Sequence, residues 1–253
     1  MDDDLARLSE AMAMADGILE LVAQKAPAGV TSRDRNDQFL VLAFGRAFRC
    51  FRSIRDVACV HAEADDAAVL TRALMAMTLR AVWLAVPEDP DERLRRARAL
   101  ELDSIRQLRT QARSLERLSL EPEIPPTVLD ERIAELERLG EAGIPPDEVI
   151  ACGLGDEAIY ARIYRTTSNA AHYSLFTALQ GFDAGSIEGE IESLNGLRIR
   201  FLDGDPARAE EALVLAALVY VAFLEHSEVV VHHGVFDRAR DLLEAHVRRY
   251  PRQ

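Results

Sequence analysis

Apolar residues recur at helical spacing along almost all of the 253-residue chain, which leaves little room for a fold built on a sheet. The run from Ala212 to Leu224 is the extreme case, being apolar throughout and bounded by Glu211 and Glu225. Because a bilayer span needs about 20 residues, this shorter run predicts a buried core helix. We see no membrane segment in the sequence and expect a cytoplasmic protein.

The apolar spacing and the turn residues together divide the chain into helices. Predicted spans are 3–25, 34–62, 65–86, 89–118, 127–140, 147 to 153 or 155, 156–179, 206–232 and 236–249. Acidic or hydroxyl residues mark several of the starts, and we expect caps at Asp65 or Asp66, at Thr127 with Asp130, and at Asp147. Asp89-Pro90 and Asp205-Pro206 open two further helices, because proline suits the first helical turn.

One segment departs from the helical pattern. Ile187 to Ser193 and Leu197 to Leu202 flank the dipeptide Asn195-Gly196, a strong signal for a two-residue hairpin turn. We therefore predict an all-α fold, a single bundle of seven to nine helices with a small β-hairpin insert near 187–202. The bundle would be one domain over 1–253, centred on the helices at 34–62, 65–86, 156–179 and 206–232. A flexible N-terminus is expected over 1–4, and loop breaks are expected at 26–33, 119–126 and 182–204.

Composition narrows the function classes. The net charge of −13 argues against binding DNA or RNA through a broad basic face, although a local positive site can lie on an acidic protein. We therefore expect no DNA partner. The three cysteines are Cys50, Cys59 and Cys152, an odd number without zinc-site spacing, so neither a disulfide framework nor a zinc site is expected.

The segment from Tyr160 to Ser174 carries the residue types best suited to chemistry. Tyr160, Tyr164, Ser168 and His172 are spaced four apart, so on a helix they form one slowly drifting stripe. Arg165 lies seven residues before His172, almost two full turns, which places both on the same side about 10 Å apart along the axis. The stripe combines a permanent cation, a group that titrates near neutrality and several hydroxyls.

The Arg165-x6-His172 pattern resembles the R-x4-6-H motif of HEPN ribonucleases, which are all-α, usually dimeric, and cleave RNA without a metal. The resemblance implies that His172 transfers protons while a ribose 2′-hydroxyl attacks its own phosphate. Arg165 would stabilise the charge that develops on that phosphate. Tyr160, Tyr164, Ser168 and Asn169 would line the substrate site. The implied partners are RNA and a second copy of the chain, with no cofactor and no metal.

A second resemblance covers about a third of the chain, over residues 40–86 and 154–176. The layout is similar to a bacterial all-helical family of unknown function that has an arginine-bearing helix pair, like 46–86. In that family a Tyr-x3-Tyr-x3-Ser-x3-His helix then follows. This likeness implies a fold and no activity. The competing interpretation is a non-catalytic helical protein that binds a ligand or another protein. In that case His172 would be a hydrogen-bonded core histidine.

Other clusters give weaker signals. His226, His232 and His233 accompany Glu225 and Glu228 near one helix end, but the Glu-x-x-His pairs typical of metal sites in bundles are absent. Arg46, Arg49, Arg52 and Arg55 recur every three residues. With Arg72 and Arg80 they could surround an anion, or they could pair with nearby acids. The arginine-rich helix 91–118 could be a salt-bridged outer face or a surface for an anionic partner.

Overall fold

The computed structural model describes residues 2–25, 30, 32–60, 64–171, 191–192, 198–199 and 205–250. Nine helices account for most of these residues, which confirms the predicted all-α bundle. They are α1 (Asp2–Gln24), α2 (Arg35–Val60), α3 (Ala64–Ala85), α4 (Pro90–Arg117), α5 (Pro126–Arg138), α6 (Asp147–Leu154), α7 (Glu157–Ala171), α8 (Pro206–Val231) and α9 (Phe236–Arg249).

Two short strands lie in the segment where the sequence predicts a hairpin. β1 (Ile191–Glu192) pairs antiparallel with β2 (Arg198–Ile199), and Ile191 is opposite Ile199. The turn at 193–197 and most of the predicted break at 182–204 lie outside the described residues. The hairpin insert as a whole therefore stays a prediction.

Helix starts show where local signals succeed and where they fail. Asp89 caps α4 and Asp205 caps α8, each accepting a backbone N–H just inside its helix. The other predicted caps are wrong, because the helices begin earlier and the acids form ion pairs with another helix. These pairs join Asp65 to Arg208, Asp130 to Arg109 and Arg113, and Asp147 to Arg80.

The body of the protein is built around α2, α3 and α8, which pack against one another, with α1 and α9 on one side and α6 and α7 on another. Aromatic rings fill the α2–α8 contact, where Phe51 stacks on Tyr220 with ring centroids 4.8 Å apart. Residues Ala212–Ala217 of α8 are all buried, so the apolar run is a core helix, as predicted.

Two helices, α3 and α8, are long and apolar enough to cross a membrane by length and composition. About two thirds of each apolar stretch is buried inside the bundle, and core helices of soluble proteins share that property. The cytoplasmic location stays a prediction.

A charged network joins the start of α2, the end of α3 and the first turn of α4. The buried guanidinium of Arg93 donates to Asp34 at 2.6 Å and to Asp37 at 2.8 Å, and its Nη1 donates to the carbonyls of Ala85 and Pro87. Asp37 is fully buried and is also bonded by Arg33. The hydrogen bond from Arg93 lowers the pKa of Asp34 to about 2. The network satisfies nearly every donor of a buried cation, which is what makes that burial tolerable.

Beyond Asp103, α4 leaves the body and forms an arm with α5. Among the described helices, α5 packs against α4 only. A small apolar cluster of Leu102, Ile133 and Leu136 joins the two helices. Ion pairs add to it, including Arg106 with Glu137 at 2.7 Å and Arg132 with Glu101 at 2.6 Å. Most arginines of α4 thus pair with acids, which fits the salt-bridged interpretation of this helix.

Replacing Arg93 with Met should lower the free energy of unfolding by about 3–5 kcal/mol, because it leaves two carboxylates without their central cation. Urea denaturation followed by circular dichroism measures the change. The matched control is Arg95→Met, which removes an exposed pair with Glu92 and should cost less than about 1 kcal/mol. Equal losses in the two variants would contradict a central role for Arg93.

Acid should weaken the same network. The pKa of Asp34 is about 2 in the folded chain and 3.8 in the reference state, so the unfolded chain binds the extra proton first as pH falls. The stabilisation by Asp34 is complete above about pH 4 and is lost as the pH falls through about 2. Urea midpoints of wild type and Asp34→Asn should therefore converge across this range. A difference that stays constant would contradict the ionised Asp34–Arg93 contact.

Candidate functional site

Helix α7 carries the predicted site and lies along α3, with its first turn beside α6 and α8. It begins after Gly155, whose positive φ of 82° ends α6, and after Asp156. Ile163 is fully buried and holds α7 against the body. Contacts of Tyr160 near Thr78 and of Tyr164 near Arg72 show that α7 runs antiparallel to α3. Its C-terminal end therefore points toward the start of α3.

Two tyrosines of the predicted stripe form a stack on α7. The rings of Tyr160 and Tyr164 lie 5.7 Å apart and are tilted by only 23°. Arg72 of α3 places its guanidinium 4.8 Å from the centre of the Tyr164 ring, a favourable cation–π contact. Tyr164 keeps 39% of its surface exposed. The structure thus brings together two of the predicted binding residues and adds an arginine that the sequence had placed only in a possible anion site.

The remaining predicted residues are only partly covered by the structure. The backbone of α7 is helical through Arg165, Ser168 and Asn169, so these positions share one continuous helix with Tyr160 and Tyr164. Their side chains lie outside the described part of the chain, as does all of His172, which follows directly after Ala171. That Arg165 and His172 lie on the same side of one helix stays a prediction.

A narrow pocket opens between α3, the start of α7 and α8. Its mouth is open to solvent, and its walls are mostly apolar. His226 and Asp156 lie at one end, where the imidazole Nε2 is 3.1 Å from a carboxylate oxygen of Asp156. Tyr160 forms part of the wall, and burial raises the pKa of its hydroxyl, so the phenol stays protonated and can donate. The pocket thus has an apolar interior with a polar pair and one donor.

The Asp156–His226 pair was missed by sequence reasoning, which grouped His226 with its neighbours on α8. No local signal could have found it, because the two residues are 70 positions apart. His233 of the same group is a buried core histidine whose Nε2 lies 2.9 Å from the Leu224 carbonyl. In the part of the chain that the structure describes, no three His, Cys, Asp or Glu side chains converge as metal ligands would.

The predicted arginine series divides into different roles. Arg55 pairs with Asp16 at 2.7 Å, and Arg80 pairs with Asp147 at 3.0 Å, while Arg72 lies over Tyr164. Arg46, Arg49 and Arg52 are exposed and form no ion pair with any described residue. A common anion pocket for all six residues is therefore wrong, because three of them are held by other contacts.

No protein-family model matches the chain, and no curated protein or solved structure is significantly similar to it. Both resemblances, to the HEPN ribonucleases and to the bacterial all-helical family, thus stay predictions.

The pocket pair allows a direct test. A double-mutant cycle with Asp156→Ala and His226→Ala should give a coupling of about 0.5–1 kcal/mol, because the contact is only partly shielded from water. Urea denaturation of the four proteins measures it. Asp156→Ala combined with Glu225→Ala is the control, since Glu225 is an exposed neighbour, and that cycle should show no coupling. Equal coupling in both cycles would contradict a specific Asp156–His226 contact.

Proposed function

We propose that this chain is a metal-independent, HEPN-like endoribonuclease of a toxin or defence type that works in the cytoplasm as a dimer. The observation that supports the proposal is the Arg72–Tyr164–Tyr160 stack on the helix that also bears Arg165. Proteins that read single-stranded RNA commonly stack unpaired bases on aromatic rings and on arginine planes. Partly exposed Tyr164 and the Arg72 guanidinium above it provide an aromatic ring and an arginine plane in one place.

The proposed chemistry needs only side chains of α7 and its continuation. A base stacked near Tyr164 would place the adjoining phosphate toward Arg165, whose permanent charge offsets the charge of the transition state. His172 would take the proton of the 2′-hydroxyl as that oxygen attacks the phosphate. The P–O5′ bond then breaks, the leaving 5′-oxygen takes a proton from water, and the cleaved strand ends in a 2′,3′-cyclic phosphate without the help of a metal. Ser168 and Asn169 would hold the substrate as hydrogen-bonding residues.

The second candidate is a non-catalytic helical protein that binds a ligand or another protein. The pocket between α3, α7 and α8 favours it, because apolar walls with a few polar groups at one end are typical of small-molecule sites. In that case Tyr160 acts as a residue of the pocket wall, and His172 is a buried core residue.

Cleavage of a mixed RNA pool in EDTA tests the nuclease. We expect wild type to cut, and His172→Ala and Arg165→Ala to lose at least about 100-fold in rate, the usual contribution of a positioned proton-transfer group. His232→Asn is the matched control, because it removes an exposed imidazole from the end of α8 and should cut at the wild-type rate. Tyr164→Ala should weaken RNA binding and leave the maximal rate less affected.

The outcomes separate the two candidates. No cutting by wild type favours the binding protein, and equal cutting by wild type and His172→Ala contradicts the proposed site. Chemical denaturation adds a second readout. A buried, hydrogen-bonded His172 predicts a loss of about 1–3 kcal/mol in His172→Ala, whereas a catalytic one predicts almost none.

A further inference from the structure

The arm formed by α4 and α5 ends in an exposed apolar tip. The outer part of α4, from Asp103 to Arg117, has fifteen residues and is therefore about 22 Å long. The end of α4 thus lies roughly 20 Å beyond the point where the helix leaves the body. Leu118 at the tip is 71% exposed. The other large apolar side chains exposed there are Leu120, Ile124 and Val128. Exposed apolar patches on an extended element mark interaction sites.

The tip carries a net negative charge as well as an apolar surface, because three exposed glutamates outnumber its one exposed arginine, Arg117. Glu116, Glu121 and Glu123 are exposed, and none of them forms an ion pair with a described residue. The acids farther back on the arm differ, since Asp130 pairs with both Arg109 and Arg113. Unpaired carboxylates around an apolar tip would repel another acidic tip, so tip-to-tip contact is unfavourable.

The outer face of α2 has the opposite character. Leu42 is 73% exposed, and it lies in line with Arg46 and Arg49 at helical spacings of four and seven. Phe39 is the second exposed apolar residue of this face. Arg35, Arg46, Arg49 and Arg52 are exposed without an ion-pair partner among the described residues. This concentration of unpaired cations is unusual in a chain with a net charge of −13.

We infer that the arm tip of one copy docks on the outer face of α2 in a second copy. The two surfaces are complementary in polarity and in charge. Apolar side chains of the tip would pack on apolar side chains of α2, and the carboxylates of the tip would pair with the guanidiniums of α2. The interhelical ion pairs and the Leu102 cluster hold α5 against α4, and among the described helices α5 does not contact α2, so the arm leaves the α2 face of its own chain uncovered. Two reciprocal contacts related by a two-fold axis then close the dimer. The inference does not rest on the proposed nuclease, because it uses no residue of α7.

Charge reversal of each surface tests the inference in the full chain. Sedimentation velocity over a concentration series should show a wild-type dimer that weakens as salt is raised. Reversal of α2 (Arg46→Glu with Arg49→Glu) or of the tip (Glu121→Arg with Glu123→Arg) should raise the dimer dissociation constant at least about tenfold. Both reversals in one chain should restore the dimer, since the charges match again.

Mixing the two singly reversed proteins is the decisive measurement. Each should be monomeric alone, yet together they should form a heterodimer, because one contact keeps both wild-type charges and the other has both reversed. Glu148→Arg on α6 and Arg238→Glu on α9 are the matched controls, because both charges are exposed on helices that belong to neither surface, and both variants should leave the dimer unchanged.

Three results would overturn the inference. They are a monomeric wild type at high concentration, a dimer that neither reversal weakens, and a mixture that stays monomeric. Circular dichroism confirms that the variants fold. If a reversed variant does not fold, Leu118→Ser takes its place, since that side chain is already exposed and its loss should weaken the dimer without affecting the fold. Binding of RNA at Arg46 and Arg49 in a monomeric chain also counts against the second-copy contact.

Discussion

Arg93 is the residue on which the arrangement of α2, α3 and α4 depends. Its side chain extends from the first turn of α4 into the core, where it bonds to Asp34 and Asp37 at the start of α2 and to the Ala85 carbonyl at the end of α3. A buried guanidinium without partners would be very costly, so the carboxylates of Asp34 and Asp37 must stay nearby. That requirement sets the direction in which α4 leaves the body, and the direction of α4 decides where the arm tip lies.

The surface of α7 follows from packing of another kind. Ile163 is buried against the body, so the tyrosine stripe falls at the boundary between the core and the solvent. At that boundary Tyr160 contributes to the pocket, while Tyr164 stays partly exposed, with Arg72 and Tyr160 packed against its ring. The two rings therefore bear on both candidate functions, since Tyr160 lines the pocket and Tyr164 forms the exposed part of the stack.

The charge of the protein is distributed unevenly. Most arginines of the described body and arm are paired with acids, and this leaves the acidic excess spread over the surface. The outer face of α2 is the exception, with four cations and two apolar side chains facing away from the core. A net charge cannot reveal such a face, because it sums over residues whose charges are already neutralised by neighbours. Local pairing, which only the structure shows, determines where a negatively charged partner can bind.

Apolar spacing and the Asp-Pro helix starts act over only a few residues, so they predict the helical class, the approximate bounds of nearly every described helix and the core role of α8. The sequence also placed Tyr160 and Tyr164 on one stripe, since helical spacing alone decides that. Tertiary structure decided which acids form ion pairs instead of caps, as with Asp130 and Asp147, and it created the Asp156–His226 pair. These contacts join residues far apart in the chain. A carboxylate at a helix start can accept from the backbone N–H groups there or from an arginine of another helix. The packing of whole helices decides between them, and local sequence does not encode that packing.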